Sequence, residues 1–588
     1  MRQSLAMSRR PHPSVVQRLD RLAPDQRAAA TAPPGPVLCV APAGSGKTTT
    51  LVARVAWLVD QGASPAEITV VAFNKRAAAE LTDRLHTALT PLGAGTVRVR
   101  TFHALGREIL MGAGVAIDPL VDRDRVLRRL FPESSAADRG RLDLAISRLK
   151  LDLRVTADEI SADPAPGPVA RAFLAYERTV AQTGGLDFDD LVARALNLLR
   201  DDEASLATWR ARCRNLLVDE AQDLDRTQLE LALLLAAPAN HVFLVGDDDQ
   251  TIYGWRLADV RRVLGLAASL PGLRRVDLEV NYRCPRPVVE RAVRLVEHNR
   301  ERFAKRIRAG PAARGRIVIA PDGSDDLVRV ARAMRAWPPG DTTRAVLART
   351  NRELLVAVVA AVELELAFRA PDLSLPIEDA RLDPLLARAE SIAAGVHGLS
   401  ALAALGTLRT EIALEAAADA AAEDVASERA ASGADALEAP PDRLDGVKAS
   451  AANRDGPSRL ELVTTLVGWA PRYPTMGALR EAIEQHRERL RELRSDDAAL
   501  TLATAHGTKG LEWDHVIVLA DGFPGRRSVS DAVEPQRALE EERRLAYVAW
   551  TRARRSLTLL FDPDAPTRFM LEAFSPDELG LSDDPAAA

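Results

Sequence analysis

The sequence predicts an α/β protein with two parallel-sheet cores and helical insertions. Three observations carry that expectation. Short apolar runs rich in Val, Ile and Leu recur in two separate groups, each run leads into a polar, turn-rich stretch, and helical patterns lie between the runs. Continuous apolar runs of this kind suit strands buried on both faces, as in parallel sheets. Alternation of such strands with helices marks an α/β core.

The first group comprises Val37–Val40, Ile68–Phe73, Val97–Thr101, Leu216–Val218, Val242–Val245 and Val276–Leu278. The second comprises Ile317–Ala320, Ala345–Ala348, Leu500–Thr504, Val516–Leu519 and Leu557–Phe561. Two long stretches interrupt them without strand signals. Ala104–Gly185 reads as helical, with Arg125–Leu130 and Val169–Val180 as examples. Within Pro371–Ala498, the part Ala416–Ser458 is rich in Ala, Glu and Asp, which leaves a loose helix and disorder both open. Leu479, Ile483, Leu490 and Leu493 recur at helical spacing, as in an amphipathic helix packed on its neighbours. The acidic tail from Pro576 is expected to be mobile.

Composition bounds the function classes. The 588 residues correspond to about four domain-sized pieces. Apolar residues are 47% and charged residues 27%, as in a core-forming protein. No secretory signal is read in Met1 to Pro13, and no run approaches the roughly 18 apolar residues of a membrane span. Cys39, Cys213 and Cys284 lie far apart and are expected as small buried hydrophobes, with neither a disulfide framework nor a zinc site. A cytoplasmic, nucleoid-associated location follows as an expectation. The net charge of −5 argues against a generally basic surface, although a local groove for nucleic acid remains open. Six lysines stand among 78 basic residues, so each lysine is worth tracing: Lys47, Lys75, Lys150, Lys305, Lys448 and Lys509.

The strand Val37–Val40 runs into Ala41, Pro42, Ala43, Gly44, Ser45, Gly46, Lys47, Thr48 and Thr49. Small residues between a strand and a helix let backbone N–H groups turn inward around phosphate oxygens. Lys47 is placed to reach the β- and γ-phosphates, and Thr48 to hold Mg²⁺. Ala41 stands where the usual pattern has Gly. Further on, Leu216–Val218 ends at Asp219 and Glu220, a metal-binding carboxylate followed by a base for the attacking water.

Later residues sharpen the nucleotide reading. Ala221-Gln222-Asp223, Val245-Gly-Asp-Asp-Asp-Gln250-Thr-Ile-Tyr253-Gly-Trp255-Arg256, Asn281-Tyr282-Arg283, Thr504-Ala-His506-Gly-Thr-Lys509-Gly-Leu-Glu512-Trp and Glu542 to Arg552 follow in order. The set resembles the UvrD/Rep/PcrA-type DNA helicases of superfamily 1, with matches from Leu22-Ala-Pro-Asp-Gln26 to Arg555.

The resemblance implies two RecA-like P-loop NTPase domains with ATP between them. It assigns 1–103 and 186–277 to the first core, 104–185 to a helical insertion, and 278–372 and 499–575 to the second core. A reduced, atypical insertion fills 373–498, and 576–588 is the tail. Gln26 matches the residue reading the adenine edge, Tyr282 the one stacking on it, and Glu512 a ribose contact. Gln250 matches the γ-phosphate sensor, and Arg283 and Arg552 the two arginines of the second core. A planar guanidinium suits charge spread over γ-phosphate oxygens. Arg552 follows Glu541 by about three helical turns, so one helix is expected to aim both at the cleft. Arg543 and Arg544 are expected on a solvated face.

Carried over to DNA, Phe73, Asn74, Thr101, His103, Phe188, Tyr253, Trp255, Arg256 and His506 fall on positions lining the family's single-strand channel. Aromatic side chains grip bases without sequence preference. Phe102 and Phe188 also fit a core, His103 a satisfied helix start, and Lys75 either a phosphate contact or solvent.

The expected activity is an ATP- and Mg²⁺-dependent 3′→5′ motor on single-stranded DNA and single-strand–duplex junctions, unwinding duplex in repair or replication. It is expected to be a monomer in isolation, with a repair or nuclease partner open. The chain lacks the family's Gly-Ile-Gly type duplex-touching element in Pro371–Ala498, so a translocase that strips proteins without unwinding stands as the alternative. The intact Lys47, Asp219, Glu220, Gln250 and Arg552 set disfavours an ATP-switched scaffold. The 36 residues after Arg552 are too few for an appended nuclease.

Overall fold

The computed structural model describes residues 10–131, 134, 136–153, 155–163, 166–311, 313–396, 399–415, 459–525 and 534–581. The first strand group forms β1 (Val37–Val40), β2 (Ile68–Ala72), β3 (Arg98–Thr101), β4 (Asn215–Val218), β5 (Val242–Gly246) and β6 (Arg274–Asp277). They make one sheet in the order β3-β2-β4-β5-β1-β6, with every neighbouring pair parallel. Alternate side chains enter two cores. Val37 and Cys39 pack on one face with the helix Lys47–Asp60, and Leu38 and Val40 on the other with Leu105 and Ile109. Burial on both faces is why these strands read as unbroken apolar runs.

The strand order determines what lies together at the carboxyl edge. β4, β5 and β1 are neighbours, so Asp219-Glu220, Asp247–Gln250 and the loop 41–46 emerge side by side. β2 and β3 lie to one flank and lead into Phe73-Asn74 and Phe102-His103. Crevices outside the carboxyl ends of parallel strands are where such folds take ligands.

The stretch after β3 is helical, as expected, and has its own core of Leu127, Ile146, Ile160, Phe173, Tyr176 and Val180. It also holds a buried polar network. Lys150 pairs with Glu177, Asp187 and Asp190 at 2.8, 2.8 and 2.9 Å, and Arg123 pairs with Asp187 and Asp189 at 2.7 and 2.6 Å.

Beyond β6 come β7 (Val280–Asn281), β8 (Arg308–Ala309), β9 (Arg316–Pro321), β10 (Arg344–Ala348), β11 (Phe368–Arg369), β12 (Leu500–Thr504), β13 (Trp513–Leu519) and β14 (Ala553–Phe561). Two compact units divide the chain. The first contains 1–324, 347–350 and 504–588, and the second contains 325–346 and 351–503. In the first, β14 pairs in parallel with both β13 and β9, and β7 with β8. In the second, β11 pairs in parallel with β12. The second unit also holds the helix Met476–Leu493, which buries Leu479, Ile483, Leu490 and Leu493 as the spacing predicts. The Ala-rich part, 416–458, and Lys448 within it lie outside the described residues.

Two expectations need correction. Arg543 and Arg544 are buried, because the helix Pro535–Trp550 is enclosed along nearly its whole second half. Arg543 forms a two-pronged pair with Glu572 at 2.7 and 2.8 Å, and Arg544 donates to the Glu301 carbonyl at 2.6 Å. The acidic tail is packed at its start, over 576–581, and its remaining residues lie outside the described ones. Leu579 is buried in a turn whose N–H donates to the Ser575 carbonyl at 3.2 Å, and Glu578 pairs with Arg291. All three cysteines are free and buried. Among the described residues, no helix is long and apolar enough to cross a membrane.

Candidate functional site

β1 delivers the loop 41–46 to the helix starting at Lys47. Gly44 and Gly46 sit at φ +68° and +84°, a region that disfavours side chains. A Cβ on Gly44 would lie 2.6 Å from Asn281 Oδ1, and one on Gly46 would lie 2.6 Å from Gln26 Nε2. Ala41 needs no such freedom. It is fully buried, and its N–H donates to the Gly246 carbonyl at 2.7 Å, so a methyl is tolerated where the pattern has Gly. Ser45 Oγ is buried with no hydrogen-bond partner among the described residues. A cradle closed to side chains, with an orphaned hydroxyl and a lysine at its rim, fits a polyphosphate.

Opposite the loop, Lys47 Nζ donates to both oxygens of Glu220 at 3.0 Å. Gln222 Nε2 donates to the same carboxylate at 2.6 Å. Burial opposes the charge of Glu220, yet Lys47 and Lys509 hold its carboxyl well below the usual range. Glu220 occupies the left-handed region at φ 52°, a strained position for a non-glycine residue. Asp219 behaves oppositely. Burial, followed by the Glu220 charge beside it, pushes it up to about 7. A buried carboxyl crowded by a carboxylate has the donor chemistry a divalent cation rewards. No group of three or more His, Cys, Asp or Glu poised for a metal occurs among the described residues, so such an ion would need oxygens from a ligand.

Gln250 and Arg552 meet in the interior. Arg552 Nη2 donates to Gln250 Oε1 at 3.1 Å, Nε to the Val548 carbonyl at 2.8 Å and Nη1 to the Leu511 carbonyl at 3.2 Å. All three partners are neutral. Burial, then the like charge of Arg283, pushes Arg552 down to about 10. With no carboxylate paired to it among the described residues, this buried guanidinium is costly and suits an anion that arrives from outside. The helix Pro535–Trp550 stops short of Arg552, which sits in the turn before β14. Glu541 on that helix accepts the Gly254 N–H at 2.9 Å.

Arg283 Nε donates to Glu512 at 2.6 Å, so these two candidates face one another. Tyr282 is half exposed, and its N–H donates to the Gly44 carbonyl at 2.9 Å. Gln26 is buried. Its amide donates to the Ser45 carbonyl at 2.7 Å and accepts from the Ala23 N–H at 3.0 Å, which ties it to the phosphate loop.

The candidate DNA residues form two clusters. Phe73 stacks on Tyr253 at 5.1 Å, and Trp255 meets Tyr253 edge-on at 6.1 Å. Trp255 is 50% exposed and carries the Arg256 guanidinium 4.5 Å above its ring. The Tyr253 hydroxyl donates to the His506 carbonyl at 3.3 Å. In the second cluster, His103 stacks on Phe188 at 3.9 Å, and Phe188 is 52% exposed. Burial pushes both His103 and His506 down to about 4. Phe102 lies in the core and Lys75 is exposed. Thr101 and Asn74 cap helices, accepting from the Ala104 and Ala77 N–H groups at 3.2 and 2.8 Å.

Residues 22–271 match the UvrD/REP helicase N-terminal domain, and residues 450–562 match the UvrD-like helicase C-terminal domain. The chain belongs to the UvrD-like helicase family. It is 28% identical to DNA helicase II of Escherichia coli (strain K12) over 615 residues, covering 92% of this chain and 84% of that protein. It is 33% identical over 288 residues to the ATP-dependent DNA helicase PcrA of Leuconostoc citreum, covering 46% of this chain and 38% of that one. Against PcrA of Staphylococcus aureus (strain Mu50), identity is 31% over 303 residues, or 49% and 41% of the two chains.

Several residues that stand inside the motifs without an individual contact assigned to them complete this UvrD-like site. Asn281 Oδ1 accepts the Arg283 and Cys284 N–H groups at 2.8 Å while packing under Gly44. Lys509 pairs with Asp223 and donates to the Gln250 carbonyl at 3.1 Å. Asp223 itself is pushed up to about 6 by burial, against the pull of Lys509. Lys509 was detectable as one of six lysines. Gln222 carries no signal beyond its motif, whereas Glu541 is singled out by its spacing to Arg552.

Proposed function

We propose that this UvrD-like protein is an ATP- and Mg²⁺-dependent motor that moves 3′→5′ on single-stranded DNA and couples hydrolysis to duplex unwinding in repair or replication. The observation that carries the reading is Arg552, buried against Gln250 with only neutral hydrogen-bond partners among the described residues. Gln250 lies three residues before Tyr253, on the segment that also bears Trp255, so one short loop joins nucleotide chemistry to the stacking residues. Unwinding, rather than translocation alone, is supported by the likeness to DNA helicase II across 92% of the chain.

In this reading the polyphosphate enters the cradle 41–46, and Lys47 leaves Glu220 to meet it. Glu220 is then free to accept a proton from the attacking water. Mg²⁺ at Thr48 and Asp219 would neutralise phosphate charge and relieve the crowding of Asp219 by Glu220. Arg283 and Arg552 stabilise charge on the transferring group, with Gln250 reporting it to the Tyr253–Arg256 loop. Gln26 and Tyr282 hold the base, and Glu512 the ribose. Phe73, Asn74, Thr101, His103, Phe188, Tyr253, Trp255, Arg256 and His506 line the track. The working parts are 1–103 with 186–277 as first core, 104–185 as insertion, and 278–372 with 499–575 as second core. The segment 373–498 is a reduced insertion. The protein works as a monomer in the cytoplasm on nucleoid DNA.

The test combines ATPase assays with and without single-stranded DNA and strand displacement on 3′- and 5′-tailed duplexes. Expected are DNA-stimulated turnover abolished by Lys47→Ala, and unwinding of the 3′-tailed substrate alone. Turnover indifferent to DNA would overturn the proposal.

A further inference from the structure

We propose that Lys305 is a positioning residue for hydrolysis: by holding Asp247, it sets which end of the Gln250 amide faces Arg552. The inference rests on the reading of Gln250 and Arg552 given above. Lys305 belongs to none of the motifs, yet its side chain is only 1% exposed and its ammonium meets three successive carboxylates. Nζ lies 3.0 Å from Asp247 Oδ1 and 2.9 Å from Asp249 Oδ2, and also pairs with Asp248.

The other oxygen of Asp247 does the orienting. Gln250 Nε2 donates to Asp247 Oδ2 at 2.7 Å, which turns Oε1 toward Arg552 Nη2 at 3.1 Å. Flipping the amide would set Oε1 against the carboxylate and NH₂ against the guanidinium, two repulsive contacts in place of two hydrogen bonds. Asp247 also joins this arm to the catalytic base. Its N–H donates to Gln222 Oε1 at 3.0 Å, and Gln222 Nε2 donates to Glu220 Oε2 at 2.6 Å. One residue, through its carboxylate and its backbone N–H, therefore orders both amides of the site.

The segment around Lys305 is built as a clamp on the turn Asp247–Gln250. Arg302 grips Asp249 with Nε and Nη2 at 3.0 and 2.8 Å, and the Phe303 N–H donates to Asp248 Oδ2 at 2.8 Å. A compact ammonium with three donors suits a point among three carboxylates, where a planar fork would satisfy fewer of them. That geometry explains a lysine in a chain that otherwise favours arginine.

The experiment uses the full chain, single-stranded DNA and an ATP titration, with thermal melts beside it. Asp247→Asn is nearly isosteric and leaves Lys305 balanced by Asp248 and Asp249, but its amide no longer dictates the direction of Gln250. Expected is a fall in kcat of about tenfold or more with KM for ATP within about threefold of wild type and the melting temperature little changed. That split separates misoriented chemistry from lost ATP binding. Lys305→Met should show the same split, partly restored in Lys305→Arg; if Lys305→Met fails to fold, Asp247→Asn decides. The inference is overturned if wild type turns over and Asp247→Asn keeps kcat within about twofold. Absence of DNA-stimulated turnover in wild type sinks the underlying motor reading and this inference with it.

Discussion

Glu541 accepts the backbone N–H of Gly254 at 2.9 Å, joining the helix that leads to Arg552 with the loop that presents Trp255. Burial pushes the Glu541 carboxyl up, so this acceptor sits in a low-dielectric setting where the bond is stronger than in water. Glu541→Ala should lower DNA stimulation of ATPase by about tenfold, equivalent to one hydrogen bond of roughly 1.5 kcal/mol. Basal turnover should stay within about twofold, and Glu541→Gln, which keeps an oxygen acceptor, should retain most coupling. Equal stimulation in wild type and Glu541→Ala would rule out this linkage.

Trp255 offers an exposed ring backed by Arg256 and braced edge-on by Tyr253. Its replacement by Ala should weaken single-stranded DNA binding by about 1–3 kcal/mol, while Trp255→Phe loses less. Because the lost contact is stacking, the slope of affinity against salt should barely change. Fluorescence anisotropy at several salt concentrations measures both quantities, and an unchanged affinity for Trp255→Ala would remove the residue from the track.

Arg543 makes a buried, two-pronged pair with Glu572 and reaches Asn299 Oδ1 at 3.2 Å. Cutting it to Ala leaves the partly buried Glu572 with Arg568 as its remaining partner, at a cost of about 1–3 kcal/mol. Lys at the same place cannot form the fork and should recover only part of that stability. Chemical denaturation of the three proteins provides the comparison, and wild-type stability in Arg543→Ala would contradict the buried pairing.

His103 is held down at about 4, below its ordinary 6.5, by burial and then by Arg256, against the pull of Asp189. Between those two values the unfolded chain binds the proton and the folded chain does not. Stability from this group is therefore complete above about 6.5, declines as pH falls toward 4, and is flat below. The loss by pH 5 should be of order 1 kcal/mol. The melting temperature of wild type should fall between pH 7 and pH 5, and His103→Gln should fall less. Identical pH dependence in the two would show that His103 stays out of the balance.

Much of this was legible locally. The loop after β1, the Asp-Glu pair after β4 and Gln250 after β5 announce themselves because strand, turn and functional residue are adjacent in sequence. What stayed hidden depends on contacts between remote segments. Nothing near Arg543 shows that Glu572 and Asn299 enclose it, so its charged neighbours read as a solvated face. Lys305 gains its meaning from aspartates 56 to 58 positions earlier. Leu579 is buried by a turn within a stretch whose composition alone reads as a loose tail. Asn74 and Thr101, picked out for DNA, also cap helices, a local role that sequence expresses equally well.

The burial of all three thiols has a practical consequence for watching this protein work. Burial pushes Cys213 up to about 11 and also raises Cys39 and Cys284, so none presents a ready thiolate to a maleimide dye. A cysteine placed at an exposed position would be labelled against a nearly silent background without first stripping the native ones. Dye pairs on the natural core could then follow each ATP cycle.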